Sequence, residues 1–168
     1  SWEKRSFSIK EIPPMIGHTC NYYGPSGLFI VFGGFHNGIY SNEVYTYDDK
    51  KWTKLSTGSN APIGRIFHTS TLIDDCLYVF GGETLDGVYL NDLWKYNIIN
   101  NSWEEIKPVG EVPKPRTGHT CVHYNGYLYI FGGKIANIQE RNEFWKYDIK
   151  KNTFELIHDT LIDQRSYE

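Results

Sequence analysis

The chain has no strong excess of either charge. Its 17 basic and 20 acidic residues give a formal charge of −3, too mild to hold a polyanion or an anionic membrane surface by electrostatics. No apolar run approaches the ~20 residues that a membrane-spanning helix needs, and no signal-peptide pattern stands at the first residues. The numbering is compatible with a start inside a longer protein, so the missing signal excludes little. Cysteine is scarce. Cys20, Cys76 and Cys121 are an odd number, and Cys20 and Cys121 share one repeat position, with Ser70 between them. They do not form a disulfide framework and predict reduced, buried thiols in a cytoplasmic protein. Helical periodicity is missing throughout.

Aromatic residues are plentiful, 16% of the chain, and most lie in short alternating runs of the kind that build strands. A second pattern is more informative. Paired glycines end an apolar run three times, at Gly33-Gly34, Gly81-Gly82 and Gly132-Gly133, 48 and 51 residues apart. His18-Thr19, His68-Thr69 and His119-Thr120 precede them in phase. Tyr47, Tyr96 and Tyr147 follow, and Trp52, Trp103 and Phe154 close each unit. From Trp2 to His18, Trp52 to His68 and Trp103 to His119 the interval is 16 residues each time. A fixed period near 50 residues predicts a stack of similar units.

Within a unit the strands read in order. His119 to Tyr124 alternates, and Asn125-Gly126 supplies a hairpin turn. Tyr127 to Phe131 is a continuous apolar run, as suits a central strand covered on both faces. A polar loop, a third strand ending at the repeated tyrosine and a turn rich in Asn, Asp and Lys lead to a fourth strand at the closing aromatic. Strands are expected near 18–24, 27–33, 43–48 and 51–55 and at their repeats, with another at Trp2. Four antiparallel strands per unit describe a propeller blade. The glycine pair fits a backbone that must pack closely or adopt φ > 0.

The spaced motifs Arg65-x-x-His68, Leu77-Tyr78-Val79-Phe80-Gly81-Gly82, Asn91-Asp92-Leu93-Trp94-Lys95-Tyr96 and Trp103 resemble those of the Kelch-repeat family. Arg116, His119, Gly132-Gly133, Asn142-Glu143-Phe144-Trp145-Lys146-Tyr147 and Phe154 repeat them, in forms similar to the group without a BTB domain. Met15 departs from the arginine of the other units, and Phe154 from their tryptophan. The resemblance implies an all-β Kelch-type β-propeller segment of three four-stranded antiparallel blades plus a strand of a preceding blade. The divisions expected are 1–14 (closing strand of the preceding blade and linker), 15–57, 58–110 and 111–168 (third blade and tail). Three blades do not close a ring at the blade numbers propellers use. Part of a larger propeller is therefore the expectation, with self-association of the isolated piece through its open blade faces.

The family consists mostly of protein-binding platforms, with a minority of enzymes and cofactor proteins. His119, Cys121 and His123 alternate on one strand, but the outer two are about 13 Å apart along it, too far to converge on one ion. His119 also has counterparts at His18 and His68, which points to a structural role, so no metal and no cofactor is expected. No nucleophile, acid or base constellation stands out from the repeats, and no catalytic residue is assigned.

Residues 35–42, 83–91 and 134–142 differ sharply between fixed flanks, as a recognition face requires. In the Kelch adaptor that captures an acidic peptide, ligand contacts come from the residue after the glycine pair and from the arginine three before the histidine. The resemblance places those contacts at Phe35, Glu83, Lys134, Arg65 and Arg116, with Met15 in the first unit. The implied partner is an acidic peptide or protein loop, not nucleic acid or membrane. Arg65 and Arg116 have an alternative reading as structural groups bonded to neighbouring loops. The competing functions are a metal-assisted propeller enzyme and the regulatory Kelch domain of a multidomain enzyme such as a phosphatase.

Overall fold

A computed structural model describes residues 11–56, 58–135 and 142–159. Three four-stranded antiparallel sheets follow one another along the chain. The first pairs Thr19–Tyr23, Leu28–Phe32, Val44–Tyr47 and Trp52–Leu55 in sequence order. The second is built of Thr69–Ile73, Cys76–Glu83, Tyr89–Asn97 and Ser102–Ile106, the third of Thr120–Tyr124, Tyr127–Phe131, Phe144–Asp148 and Thr153–His158. These are the expected blades, with boundaries within a residue or two of those expected in the first. The strand expected at Trp2 lies outside the described residues. No helix among the described residues is long and apolar enough to cross a membrane.

Local chemistry sets the turns. Asn125 and Gly126 both take positive φ, 50° and 83°, and join adjacent strands as a two-residue hairpin loop. Asn101 and Asn152 also adopt positive φ, and each accepts the hydroxyl of the repeated tyrosine through Oδ1, Tyr96 at 2.6 Å and Tyr147 at 2.8 Å. Their amides then donate to carbonyls of the preceding blade, Ser56 and Lys107. The repeated tyrosine thus fixes a turn that also ties two blades together.

The core lies between blades rather than within them. Ile30, Phe32 and Val44 of the first blade pack with Leu77, Val79, Trp94, Tyr96 and Trp103 of the second. Phe80 and Leu93 of the second pack with Leu128, Ile130, Trp145, Tyr147 and Phe154 of the third. The closing aromatics of the second and third blades sit on the phenylalanine before the preceding glycine pair: Trp103 on Phe32 at 4.8 Å, Phe154 on Phe80 at 5.8 Å between centroids. At full burial each such ring contributes about 1.5–3 kcal/mol.

The histidines complete the seams. His68 Nε2 shares a hydrogen bond of 3.0 Å with Thr19 Oγ1, and His119 Nε2 one of 2.9 Å with Thr69 Oγ1. The glycine pair makes room for them. A Cβ on Gly33 would lie 2.6 Å from His68 Cε1, and one on Gly81 would lie 2.9 Å from His119 Cε1. Cys121 is covered at its seam by the hydroxyls of Thr71 and Thr69, and burial pushes its thiol pKa up. Cys20 corrects one expectation. All three thiols are free, but Cys20 is exposed, on the face of the first blade that points away from the second.

Burial, reinforced by the neighbouring arginine, lowers the pKa of His68 and His119 from 6.5 to about 3. Both rings are therefore neutral in the folded chain at neutral pH. The unfolded chain binds protons below pH 6.5 that the folded chain refuses, so stability is full above that value and falls progressively toward pH 3. Each histidine contributes a slope of at most about 1.4 kcal/mol per pH unit. Thermal melts at pH 7.5, 6 and 5 should show this loss before carboxylates titrate, and His119→Gln should flatten it. An unchanged melting temperature down to pH 5 would contradict it.

Candidate functional site

The residue after each glycine pair occupies one structural position. Phe35 pairs with Ile16, Glu83 with Ile66, and Lys134 with Thr117, each two residues before the histidine of its own blade. Glu83 and Lys134 border a cleft of about 650 Å³ that runs on to the open face of the third blade, where Thr120, Phe131 and Gly132 line it. Tyr89 contributes to the same wall, and the Lys134 amine lies 5.9 Å from the centre of its ring. Phe35 stands apart on the first blade, edge-on to Tyr40 at 5.6 Å. The rim thus presents an aromatic ring, an anion and a cation at three equivalent places. Residues 136–141 of the third loop lie outside the described residues.

Arg65 and Arg116 are corrected to structural groups, since both are fully buried. Arg65 donates from Nη1 and Nη2 to the two carboxylate oxygens of Asp92, each at 2.7 Å, and also from Nη1 to the Gly81 carbonyl at 2.9 Å. Trp94 Nε1 donates to the same carboxylate at 2.7 Å. Arg116 repeats the arrangement with Glu143, the Gly132 carbonyl and Trp145. This explains the repeated acid-x-Trp motif: one carboxylate takes the guanidinium and the indole together. A pair of this kind orders the segment leading to the histidine, and with neither guanidinium exposed a ligand has no access to it.

The first blade shows what happens without the arginine. Met15 is half-buried, Tyr45 replaces the tryptophan, and Glu43 turns to Lys54 at 3.0 Å near the surface. Among the described residues no three His, Cys, Asp or Glu side chains converge as ligands for one ion. His119 faces Thr69, Cys121 the second blade, and His123 is exposed.

Two residues of the cleft escaped sequence reasoning. Phe67 and Thr117 hold positions filled by Gly17 and Gly118, and by Ile16 and Ile66, in the other units. Aligning the units position by position between the arginine and the histidine would have found both.

Seams that carry a histidine over paired glycines, and two blades that each bury an arginine against a carboxylate, define a Kelch-type β-propeller segment. The family model described as the KLHDC2/KLHL20/DRC7 Kelch-repeats domain matches residues 1–163, and the chain belongs to the Kelch-repeat family. It is 32% identical over 167 residues to Kelch repeat-containing protein 2 of Saccharomyces cerevisiae, covering 85% of this chain and 18% of that protein. It is 33% identical over 158 residues to the Rho GTPase-activating protein gacHH of Dictyostelium discoideum, covering 84% and 10%. With Kelch domain-containing protein 3 of Homo sapiens the identity is 27% over 154 residues, covering 84% and 40%. The chain spans less than half the length of each of these relatives.

Arg116→Met, which copies the residue of the first unit, should destabilise the chain by about 3–5 kcal/mol by leaving Glu143 buried without its cation. Arg65→Met should cost less, because the Asp92 side chain keeps 22% of its surface exposed. Urea unfolding of Arg116→Met and of Arg116→Met/Glu143→Gln tests this, with partial recovery expected in the double variant. Stability equal to the parent's in Arg116→Met would return that arginine to the rim.

Proposed function

We propose that the three blades are part of a larger Kelch propeller that binds a peptide or protein partner through its loop rim and performs no catalysis itself. One observation carries the reading. Phe35, Glu83 and Lys134 share a backbone position held by the same ladder, yet differ completely in chemistry. A rigid frame with side chains that vary at one place is how scaffold proteins present specificity. Kelch-repeat domains generally act as non-catalytic interaction modules, which supports it. The proposed location is cytoplasmic, consistent with free thiols.

An acidic partner is proposed for Lys134, now without help from the arginines. A second reading, a regulatory module of a multidomain enzyme, draws on the relative named as a Rho GTPase-activating protein.

The larger propeller has a geometric argument. The positions of Thr19 and Thr69 are bonded to a histidine of the next blade, whereas a Cβ on Gly132 would meet nothing within 4 Å. Phe131 on the third blade is 47% exposed, while Phe32 and Phe80 at the same position are buried. Val122 and Tyr124 flank it, also exposed. A further blade would cover this face.

Two measurements follow. Random heptapeptides displayed on phage and selected on the chain should be enriched in acidic residues, and Lys134→Glu should shift that preference to basic ones by tenfold or more. Identical selections from both proteins would overturn the rim assignment. Light scattering from 1 to 100 µM should show concentration-dependent association that Phe131→Asp weakens. A clean, dilution-resistant dimer would instead favour ring closure by two copies.

A further inference from the structure

Asparagine is followed by glycine twice, at Asn37-Gly38 and Asn125-Gly126, and each pair forms a two-residue hairpin loop. The asparagines sit at φ 48° and 50°, the glycines at 79° and 83°. All four residues are exposed, and a Cβ on either glycine would meet nothing within 4 Å. Asparagine amides are thermally labile groups, and a glycine nitrogen without a side chain beside it is the least hindered nucleophile that the next residue offers.

Other candidates in the chain are locked. Asn101 and Asn152, also at positive φ, are held at both ends of the amide, where Oδ1 accepts a tyrosine hydroxyl and Nδ2 donates across the seam. Neither precedes a glycine. Asp86-Gly87 has the right following residue, but the Gly87 N–H donates to the Thr84 carbonyl at 2.9 Å. Asn37 and Asn125 make no side-chain hydrogen bond among the described residues.

The two loops differ in what it takes to open them. Cyclisation requires the asparagine backbone to leave the turn conformation, so that the glycine nitrogen can meet Cγ. Asn125 closes a ladder of five pairs, from Thr120–Phe131 to Tyr124–Tyr127, and its second strand is paired again on the far side. The Gly126 carbonyl also accepts from the Ile149 N–H. Asn37 tops a ribbon of two pairs, Phe35–Tyr40 and His36–Ile39, which belongs to none of the four-stranded sheets. Only its base is tied, by Phe35 to Ile16 and by Ser41 to Gly34. A two-stranded ribbon of this size is marginal by itself, so its tip opens at small cost.

We propose that Asn37 is a site of spontaneous deamidation and converts before any other described asparagine. The Gly38 nitrogen gives its proton to hydroxide and bonds to Cγ of Asn37. The Cγ–Nδ2 bond breaks, ammonia leaves with a proton taken from water, and a succinimide ring remains. Water then opens that ring at either carbonyl, leaving aspartate or isoaspartate. One water is consumed and one ammonia released, with no oxidant or reductant. Both products place a negative charge at the tip of the first rim loop, two residues from Phe35. Isoaspartate also adds a methylene to the main chain of a two-residue loop, which opposes the register that sets Phe35 against Tyr40.

The test incubates the full chain at pH 8 and 37 °C. Each asparagine is followed by peptide mapping with mass spectrometry, and isoaspartate is counted by enzymatic methylation. Asn37 should convert at least fivefold faster than Asn125, while Asn101 and Asn152 stay amides. In guanidinium chloride the rates at Asn37 and Asn125 should converge, because the fold no longer separates them. Equal rates in the folded chain, or a faster Asn125, would overturn the assignment. So would a difference that persists in denaturant, since it would then come from neighbouring residues and not from the ribbon. None of these outcomes depends on whether the rim binds a partner.

Discussion

The imidazole of His68 occupies the space that a side chain on Gly33 would need, and most of the architecture follows from that exclusion. With glycine at 33, the second blade comes close enough for His68 to reach Thr19 and for Trp103 to lie against Phe32. The Arg65 carbonyl would stand only 2.9 Å from the same missing Cβ, and it accepts a hydrogen bond from the Gly34 N–H. Arg65 holds that carbonyl in place because its own side chain is locked to Asp92. Glycine pair, arginine, carboxylate and histidine are therefore one device, and His119, Gly81 and Arg116 repeat it at the next seam.

The device places charge where a hydrophobic residue would also pack. A buried ion pair adds little net stability over apolar residues of the same volume, but breaking it is costly. What the pair supplies here is geometry, since a guanidinium with fixed donors orients a backbone segment that methionine cannot. The first blade is consistent with this. With Met15 in the arginine position, Glu43 leaves the interior for Lys54, and the blade has no internal ion pair of this type among the described residues.

Much of the fold was legible because period and chemistry coincided. The twelve blade strands, the Asn-Gly hairpin and the inward-facing Trp103 and Phe154 could all be read from spacing. The arginines were placed on the rim because repetition reveals that a residue matters without revealing whether it is buried; only the carboxylate 27 residues later, bonded in the structure, decides that. Cys20 was expected to be buried because Cys121 shares its position, yet burial at that position comes from the preceding blade and not from the unit itself. Phe67 and Thr117 were overlooked for a related reason. The units were compared at the positions they share, and these two lie where the third repeat and the middle repeat disagree with the others.

That disagreement separates frame from function. Arg65 and Arg116, His68 and His119, and the glycine pairs are alike because each serves a seam, and a seam tolerates little change in a packed interior. Phe35, Glu83 and Lys134 differ freely because their backbone alone is used by the ladder. Phe67 belongs to neither group. The ladder constrains its backbone as strictly as that of Gly17 and Gly118, and still the residue is one that the conformation penalises. A frame position held by an unsuitable residue gains nothing from the frame. The Phe67 ring stays 49% exposed beside Gly17, so burial does not offset the cost of the conformation.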